Sequence, residues 1–496
     1  MADKISFSCA VPVINRAFAI ALQDVRDVTR PFKGGLLEEP RPVFISGGWY
    51  RHPWTRDNSY NTWSSGGLLF PEVARNSLLS VVQREAGGLY ITGQYWDCIA
   101  WAAGAWMYWL YTGDRDFLDL AYPAVINTLG RLEDNEWNSR TGLFRGQPSY
   151  ADGVSAFPSP PYRIAGHSNG AVTHATVMRR DEKSVHMQAL STNCLYVNAY
   201  AVAAEMAVLT GQPPQESALF REKAAALKKA INRRLWLKKQ GHYAYYLDRD
   251  GLDATQESLG HAFAILFGVA GPKQIKALFA NQHVTRHGVP CLWPVYPEYA
   301  TPDHMTYGRH SGTVWPMQMG FWAMAAARER RLDLFAAEWF SLADLAVRAG
   351  NFAEMFHPLT GEPYGGLQEI SEKRLYNPLT GEPYGEFQII RGRRFYLTAS
   401  KPQTTWGATG FMGMAIHGLL GLRFSNSGIA FEPLVPEGLG PVKLEGLQYR
   451  GRRLCIEVTG RGKRIKRFVV NGKAARTPFI PANNNKDLCV SIDVRE

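Results

Sequence analysis

The chain has 496 residues, is 46% hydrophobic and 20% charged, and carries a formal net charge of +11. That is the composition of a globular protein with room for a large core and more than one domain. Its Lys and Arg residues are scattered, densest at 228–234 and 461–467, and form no stripe with interleaved aromatics, so a nucleic-acid partner is not expected.

Up to about residue 425 the apolar periodicity is helical. Helices are predicted over 101–111, 117–132, 193–209, 216–235, 259–267, 318–331, 338–350 and 411–420. Thr112-Gly-Asp114 joins the first two, and Thr210-Gly211 ends the third. Between the helices lie four long stretches rich in Gly, Pro, Trp and Tyr, at 47–67, 138–169, 289–316 and 351–403. Long loops inside a compact domain are usually functional. Short helices alternating with long aromatic loops predict a toroid of helical hairpins whose loops gather over one mouth. After 425 the pattern changes to short alternating segments at 428–433, 442–449, 453–459, 466–470 and 487–494, with Val470-Asn-Gly472 as a hairpin turn. The expected division is a helical domain over 1–425 and a small β-domain over 426–496.

Six cysteines, Cys9, Cys98, Cys194, Cys291, Cys455 and Cys489, are widely spaced and form no CxxC pair. Reduced thiols are expected rather than a zinc site or a disulfide framework. No metal-ligand cluster stands out, and no cofactor is expected. No run reaches the roughly 18 apolar residues of a membrane span. The stretch at 5–14 is interrupted by Ser and Pro and makes a poor secretory signal. The expectation is a cytoplasmic protein with no membrane partner; the sequence does not address its oligomeric state.

The loops concentrate the chemistry. Gly47 to Asn58 sets Trp49, Tyr50 and Trp54 around Arg56 and Asp57. Sugars present C–H faces for stacking and hydroxyls for paired hydrogen bonds, which aromatics and an Arg–Asp pair supply. Gln94-Tyr-Trp-Asp97 opens a helix, so Asp97 either charges its first turn or faces a pocket beside Trp96. Asp152 follows Tyr150 in a Gly/Pro-rich loop. A partly apolar loop raises a carboxyl pKa as a general acid requires, although Asp-Gly is also a common turn. Tyr307 to Pro316 carries His310 and Trp315, and Gln403-Thr-Thr-Trp406 closes the helical part.

Glu354 precedes His357-Pro-Leu-Thr-Gly-Glu-Pro-Tyr-Gly365, and a near copy runs from Asn377 to Gly385, 20 residues later. The copy has Arg374 where the first has Glu354. It keeps the turn, lacks the preceding carboxylate, and reads as a structural or subsite-forming hairpin. Paired carboxylates across an aromatic pocket are the apparatus of glycoside hydrolysis.

Taken in order, several motifs resemble those of the six-hairpin, (α/α)6-barrel glycosidases. They are Trp54-Thr-Arg-Asp57, Thr112-Gly-Asp114, Gly142-Leu-Phe144, Ser149-Tyr-Ala-Asp-Gly153, Leu235-Trp236, His310-Ser-Gly-Thr-Val-Trp-Pro316, Glu354 with its Pro-Leu-Thr-Gly turn, and Gln403-Thr-Thr-Trp406. The nearest group is that of glycogen-debranching, processing α-glucosidase and mannosylglycerate hydrolase enzymes. The resemblance covers residues 1 to about 425. It implies a mainly α fold, an (α/α)6 barrel, followed by a small C-terminal antiparallel β-domain. It implies an inverting glycoside hydrolase acting on an oligosaccharide or glycoside with an α-glucoside-like terminal sugar. Asp152 would be the general acid and Glu354 the general base. Trp49, Tyr50, Trp54, Arg56, Asp57, Trp96, Asp97, Tyr150, His310, Trp315 and Trp406 would bind the substrate. Asp97 is the reserve acid, and Glu362, Glu382 and Glu386 are reserve bases. The alternative is an α/α-toroid polysaccharide lyase using Tyr150 or His310 as base and Arg309 to hold an acidic glycan. A catalytically silent sugar-binding relative, or an epimerase with two facing histidines, are further alternatives.

Overall fold

Residues 5–93, 97–150, 154–158, 187–301, 305–370, 387–390, 393–483 and 486–496 are described by the computed structural model. Six helices form an inner set: Thr55–Asn61, Asp97–Thr112, Leu190–Leu209, Ser258–Leu266, Pro316–Arg328 and Thr405–Gly413. The first continues through a π-helical turn, Thr62–Gly66, to Leu69, and the last through Met414–Leu419. Each inner helix packs against the next, and Thr405–Gly413 packs back on Thr55–Asn61, so the sequence of contacts returns to its start. Five of the six are followed by a second helix: Pro71–Leu79, Arg115–Glu136, Pro214–Arg234, Pro272–Asn281 and Leu332–Ala349. The N-terminal helix Pro12–Val28 supplies the sixth, packing on Leu332–Ala349 and Thr405–Gly413.

Burial explains the two textures. Inner helices are buried over most of their surface, and in Asp97–Thr112 only Trp106, Met107 and Thr112 are partly exposed. Outer helices are amphipathic and carry ordinary end signals. Asp114 caps Arg115–Glu136 by accepting the Phe117 N–H at 3.0 Å, and Pro214–Arg234 opens on Pro and ends on Arg233 and Arg234.

The inner helices approach closely because small residues sit at their crossings. A Cβ on Gly104 would lie 2.7 Å from the Ser59 Cα, and one on Gly413 would lie 2.7 Å from the Ser64 carbonyl oxygen. Below these crossings Tyr60, Trp63, Phe263 and Phe321 interlock, with ring centroids 4.7–6.5 Å apart.

Two expectations need correction. The stretch at 47–67 is not loop throughout, because Thr55 onward is helix. Its residues look loop-like because most are small and polar, yet they are buried and partly hydrogen-bonded to neighbouring helices. Asn58 donates to the Ser77 carbonyl at 3.1 Å, and Asn61 accepts from the Thr409 hydroxyl at 2.9 Å. The stretch at 351–403 includes a three-stranded sheet of Leu367–Ile370, Arg393–Leu397 and Phe387–Ile390. Residues 371–386, with the second Pro-Leu-Thr-Gly copy, Glu382 and Glu386, lie outside the described residues. Among the described residues no helix is long and apolar enough to cross a membrane.

The C-terminal part is β as expected. A six-stranded sheet runs in the order Ser6–Ser8, Val442–Tyr449, Arg452–Gly460, Leu488–Arg495, Arg464–Val470, Lys473–Ala474. It is not purely antiparallel, because Arg452–Gly460 and Leu488–Arg495 pair in parallel. The chain between them is long enough for the crossover a parallel pair requires. The edge strand Ser6–Ser8 comes from the N-terminus and pairs with Val442–Tyr449. Asn471 and Gly472 both take positive φ, 50° and 77°, as the tight turn after Val470 demands. A three-stranded sheet of Leu422–Ser425, Gly428–Phe431 and Phe479–Pro481 joins this part to the last inner helix.

One buried acid ties the outer helices to the loops. Both Glu338 carboxylate oxygens accept the Val289 N–H, at 3.0 and 3.3 Å, and burial pushes the Glu338 pKa from 4.5 up to about 8.

Two measurements check this packing. Gly104→Val places branched carbons against the Ser59 backbone, and we expect a loss of about 1–3 kcal/mol in denaturant unfolding; an unchanged midpoint would contradict the close crossing. Glu338 binds its proton more tightly folded than unfolded, so its stabilising contribution is complete below pH 4.5 and is lost as pH rises through about 8. Glu338→Gln keeps an acceptor and removes the titration. Its unfolding midpoint should therefore fall less than that of the parent between pH 5 and pH 9, and parallel curves would contradict the assignment.

Candidate active site

The site is built at the N-terminal ends of the inner helices. Short backbone pairings join the segments that enter them. Gly146 N–H donates to the Met187 carbonyl, Leu190 N–H to Tyr245, Ser258 N–H to Cys291, and Cys291 N–H to Thr313. Val314 and Phe356 exchange bonds at 3.1 and 2.8 Å, Thr404 N–H donates to Phe352, and Thr405 N–H donates to Ser46. This belt fixes which side chains turn inward.

Glu354 lies in the belt. Its N–H donates to the Lys401 carbonyl at 2.7 Å, and the Phe352 N–H two residues earlier donates to the buried Asp24 carboxylate at 2.7 Å. Burial raises the Asp24 pKa to about 6, and the Phe352 N–H acts in the opposite direction. The Glu354 side chain is 2% exposed. Tyr50 donates its hydroxyl to Oε1 at 2.9 Å, and an Arg309 guanidinium nitrogen stands 2.7 Å from Oε2. Burial and then the Glu354 charge hold the Tyr50 pKa well above its usual value, so Tyr50 remains a donor. The Lys401 ammonium lies 4.1 Å from the centre of the Tyr50 ring.

An aromatic wall continues from this carboxylate. Arg309 covers Trp315 at 5.2 Å; Trp315 stacks on His310 with centroids 5.0 Å apart and meets Trp406 edge-on at 5.9 Å. Tyr150 packs against both His310 and Trp315, at 5.6 and 5.9 Å. Arg56 lies 5.8 Å from the Trp406 ring centre. It also donates to the Ser149 carbonyl at 2.7 Å, and its guanidinium is 3.3 Å from Asp97 and 4.0 Å from Asp57.

The structure therefore gathers Tyr50, Arg56, Asp57, Asp97, Tyr150, His310, Trp315, Glu354 and Trp406. Trp54 precedes the first inner helix and is partly buried. Trp49 stands apart, 51% exposed. Glu362 is exposed and 3.7 Å from Arg348. Asp152 and Trp96 lie outside the described residues. Among the described residues no group of three His, Cys, Asp or Glu side chains is placed to hold a metal.

Three groups were not singled out from sequence. Lys401 supplies the carbonyl beneath Glu354. Tyr60 bonds the Ser149 hydroxyl at 2.5 Å. Glu257, fully buried, directly precedes the Ser258–Leu266 helix and accepts the Ser191 N–H at 3.3 Å. Burial raises its pKa to about 8, so it is a neutral acid near pH 7. The available signal for Glu257 was position: Asp57, Asp97, Trp315 and Trp406 also lie within one turn of an inner-helix start.

The chain matches the model of the mannosylglycerate hydrolase MGH1-like glycoside hydrolase domain over residues 52–377, and that of the glycosyl hydrolase family 65 C-terminal domain over 422–475. No curated protein matches it. Among solved structures it is similar to a sialidase, at 15% identity and TM-score 0.66, covering 95% of this chain and 40% of that one. It is similar to a GH78 family rhamnosidase of Bacillus sp. GL1, at 14% identity and TM-score 0.56, covering 92% and 42%. It is also similar to a GH63 mannosylglycerate hydrolase from Thermus thermophilus in complex with glucose, at 17% identity and TM-score 0.54, covering 80% and 99%. The chain thus spans about two fifths of the length of the first two, and at these identities the likeness is one of fold. Because the MGH1-like match runs over well more than half of the sequence, the chain belongs to the MGH1-like glycoside hydrolase domain family.

Proposed function

We propose that the chain is an inverting glycoside hydrolase, with residues 1–425 forming an (α/α)6 barrel and 426–496 an appended β-domain. The returning contacts of the six inner helices support the barrel. One observation carries the chemistry: a nearly fully buried carboxylate, Glu354, is held by Tyr50 and Arg309 beside Trp315, His310, Tyr150 and Trp406. Arg309 offsets a charge that would otherwise be costly to bury. The aromatic faces suit the C–H faces of a sugar, and Arg56 with Asp57 and Asp97 suits its hydroxyls.

In this reading an α-glucoside-like terminal sugar enters from the loop side. Glu354 takes a proton from a water molecule as its oxygen bonds to the anomeric carbon. Asp152 gives its proton to the glycosidic oxygen as the carbon–oxygen bond breaks on the opposite face. Inversion requires the two carboxyl groups to stand roughly 6.5–9.5 Å apart, leaving room for that water. The segment leading to Asp152 is anchored by Arg56 on the Ser149 carbonyl and by Tyr150 in the aromatic wall.

The lyase reading has less support. It needs Tyr150 or His310 as the base, and the Tyr150 hydroxyl is buried against the Cys291 thiol, with burial holding its pKa well above the usual value.

The test is turnover of α- and β-linked glucosides and mannosides. Asp152→Asn and Glu354→Gln should each lower kcat by about 10²–10⁴, while Glu362→Gln, altering an exposed partner of Arg348, keeps parental turnover. Glu354→Gln at parental kcat would remove Glu354 as the base. A product absorbing in the near ultraviolet, from a new double bond, would identify a lyase.

A further inference from the structure

The ring has a second opening, at the end away from Glu354. The Ser258–Leu266 helix has 9 residues, against 20 in Leu190–Leu209 and 13 in Pro316–Arg328. At about 1.5 Å per residue it reaches roughly 13 Å where its neighbours reach roughly 30 and 20 Å. The wall is therefore short beyond Leu266. A cavity of about 560 Å³ occupies that end, lined among others by Trp63, Trp106, Met107, Phe267, Met324 and Phe424. Trp63 lines the cavity, whereas Tyr60, Phe263 and Phe321, whose rings interlock with it, do not.

The cavity is lined by apolar side chains together with Asn198, Arg328, His417, Arg423 and Glu432, a mixture that suits a small molecule with an apolar body and a polar head. The Asn198 amide nitrogen is buried at its wall without a hydrogen-bond partner among the described residues. Glu432 and Arg423 pair with each other at 3.1 Å and leave no net charge. Arg328 also lines the cavity and donates to the Leu266 carbonyl at the end of the short helix. Beside it stands Lys228, half-buried, its ammonium 3.7 Å from the position of a Cβ on Gly268. Among the described residues Lys228 has no carboxylate partner, and burial and then the Arg328 charge lower its pKa. Lys228 stands just outside the lining, beside Gly268, which follows the lining residue Phe267. Arg328 has Glu329 4.0 Å away, so the two cations together leave an excess of positive charge at this edge of the cavity, the complement of an anion.

We propose that this cavity is a second binding site, for an amphipathic anion with a flat or branched apolar body and one carboxylate or sulfonate head. The body lies between Trp106, Met107, Phe267 and Met324, and the head meets Lys228 and Arg328. The volume admits two or three fused or linked rings. The site shares no residue with the Glu354 cluster, so it stands or falls independently of the proposed hydrolysis.

The test is a fluorescence titration of the full chain with 8-anilinonaphthalene-1-sulfonate. The parent should bind one equivalent saturably. Lys228→Gln should weaken binding about tenfold, as expected for the loss of one charge-assisted contact, and Lys228→Arg should restore it. Met107→Trp, which fills the cavity from a half-buried position, should abolish binding. Thermal melting of each variant establishes that it is folded. Absence of saturable binding to the parent, or equal affinity for the parent and Met107→Trp, would overturn the site. Equal affinity for the parent and Lys228→Gln would overturn its assignment to anions.

Discussion

Everything at the mouth depends on one constraint: the inner helices start at the same end, and the segments entering them are stitched edge to edge by backbone hydrogen bonds. A segment that entered its helix freely would present its side chains in many directions. Here Cys291 bonds both Ser258 and Thr313, Phe356 bonds Val314, Lys401 bonds Glu354, and Thr405 bonds Ser46. Side chains fixed by such a belt lose little further entropy when a ligand binds. Tyr50, Arg309 and Lys401 come from stretches far apart in sequence, and the belt is what brings them to one carboxylate.

The same arrangement accounts for the electrostatics. Helix N-termini are partially positive, so acids in their first turns are favoured. Asp57 and Asp97 occupy such positions, and Arg56 lies between them. Glu257 faces the same end with no cation against it among the described residues, and burial makes it a neutral acid. Glu354 sits in a segment between helices and has Arg309 instead. Two buried glutamates in one mouth thus differ in kind, because a guanidinium stands against Glu354 and burial dominates at Glu257.

Much of this was legible from residues alone. Conspicuous aromatics and acids in the loop segments identified Glu354, Tyr50, Trp315 and Trp406 as site candidates, and the structure brings these four into one cluster. The alternation beyond 425 gave the strands nearly to the residue, as with Val442–Tyr449. The first inner helix was illegible for a physical reason. Its residues are mostly polar and small and are buried on every side, with Asn58 bonding Ser77 and Asn61 bonding Thr409, so it has no apolar stripe. The N-terminal helix was legible but overlooked: Ile14, Ala17, Phe18, Ala21, Leu22, Val25 and Val28 recur at helical spacing and are all buried. Lys401 contributes a backbone carbonyl, which no side-chain pattern announces. The parallel strand pair depends on how distant segments are ordered in the sheet, and local alternation does not encode that order.

In the proposed mechanism Glu354 activates water on the face opposite the leaving oxygen. Proton NMR of the sugar released in the first minutes of hydrolysis, before mutarotation, tests it most directly. An α-linked glycoside should release the β-anomer first. Release of the α-anomer first would show retention, placing the second carboxylate within roughly 5 Å of the first and making it a nucleophile rather than a base.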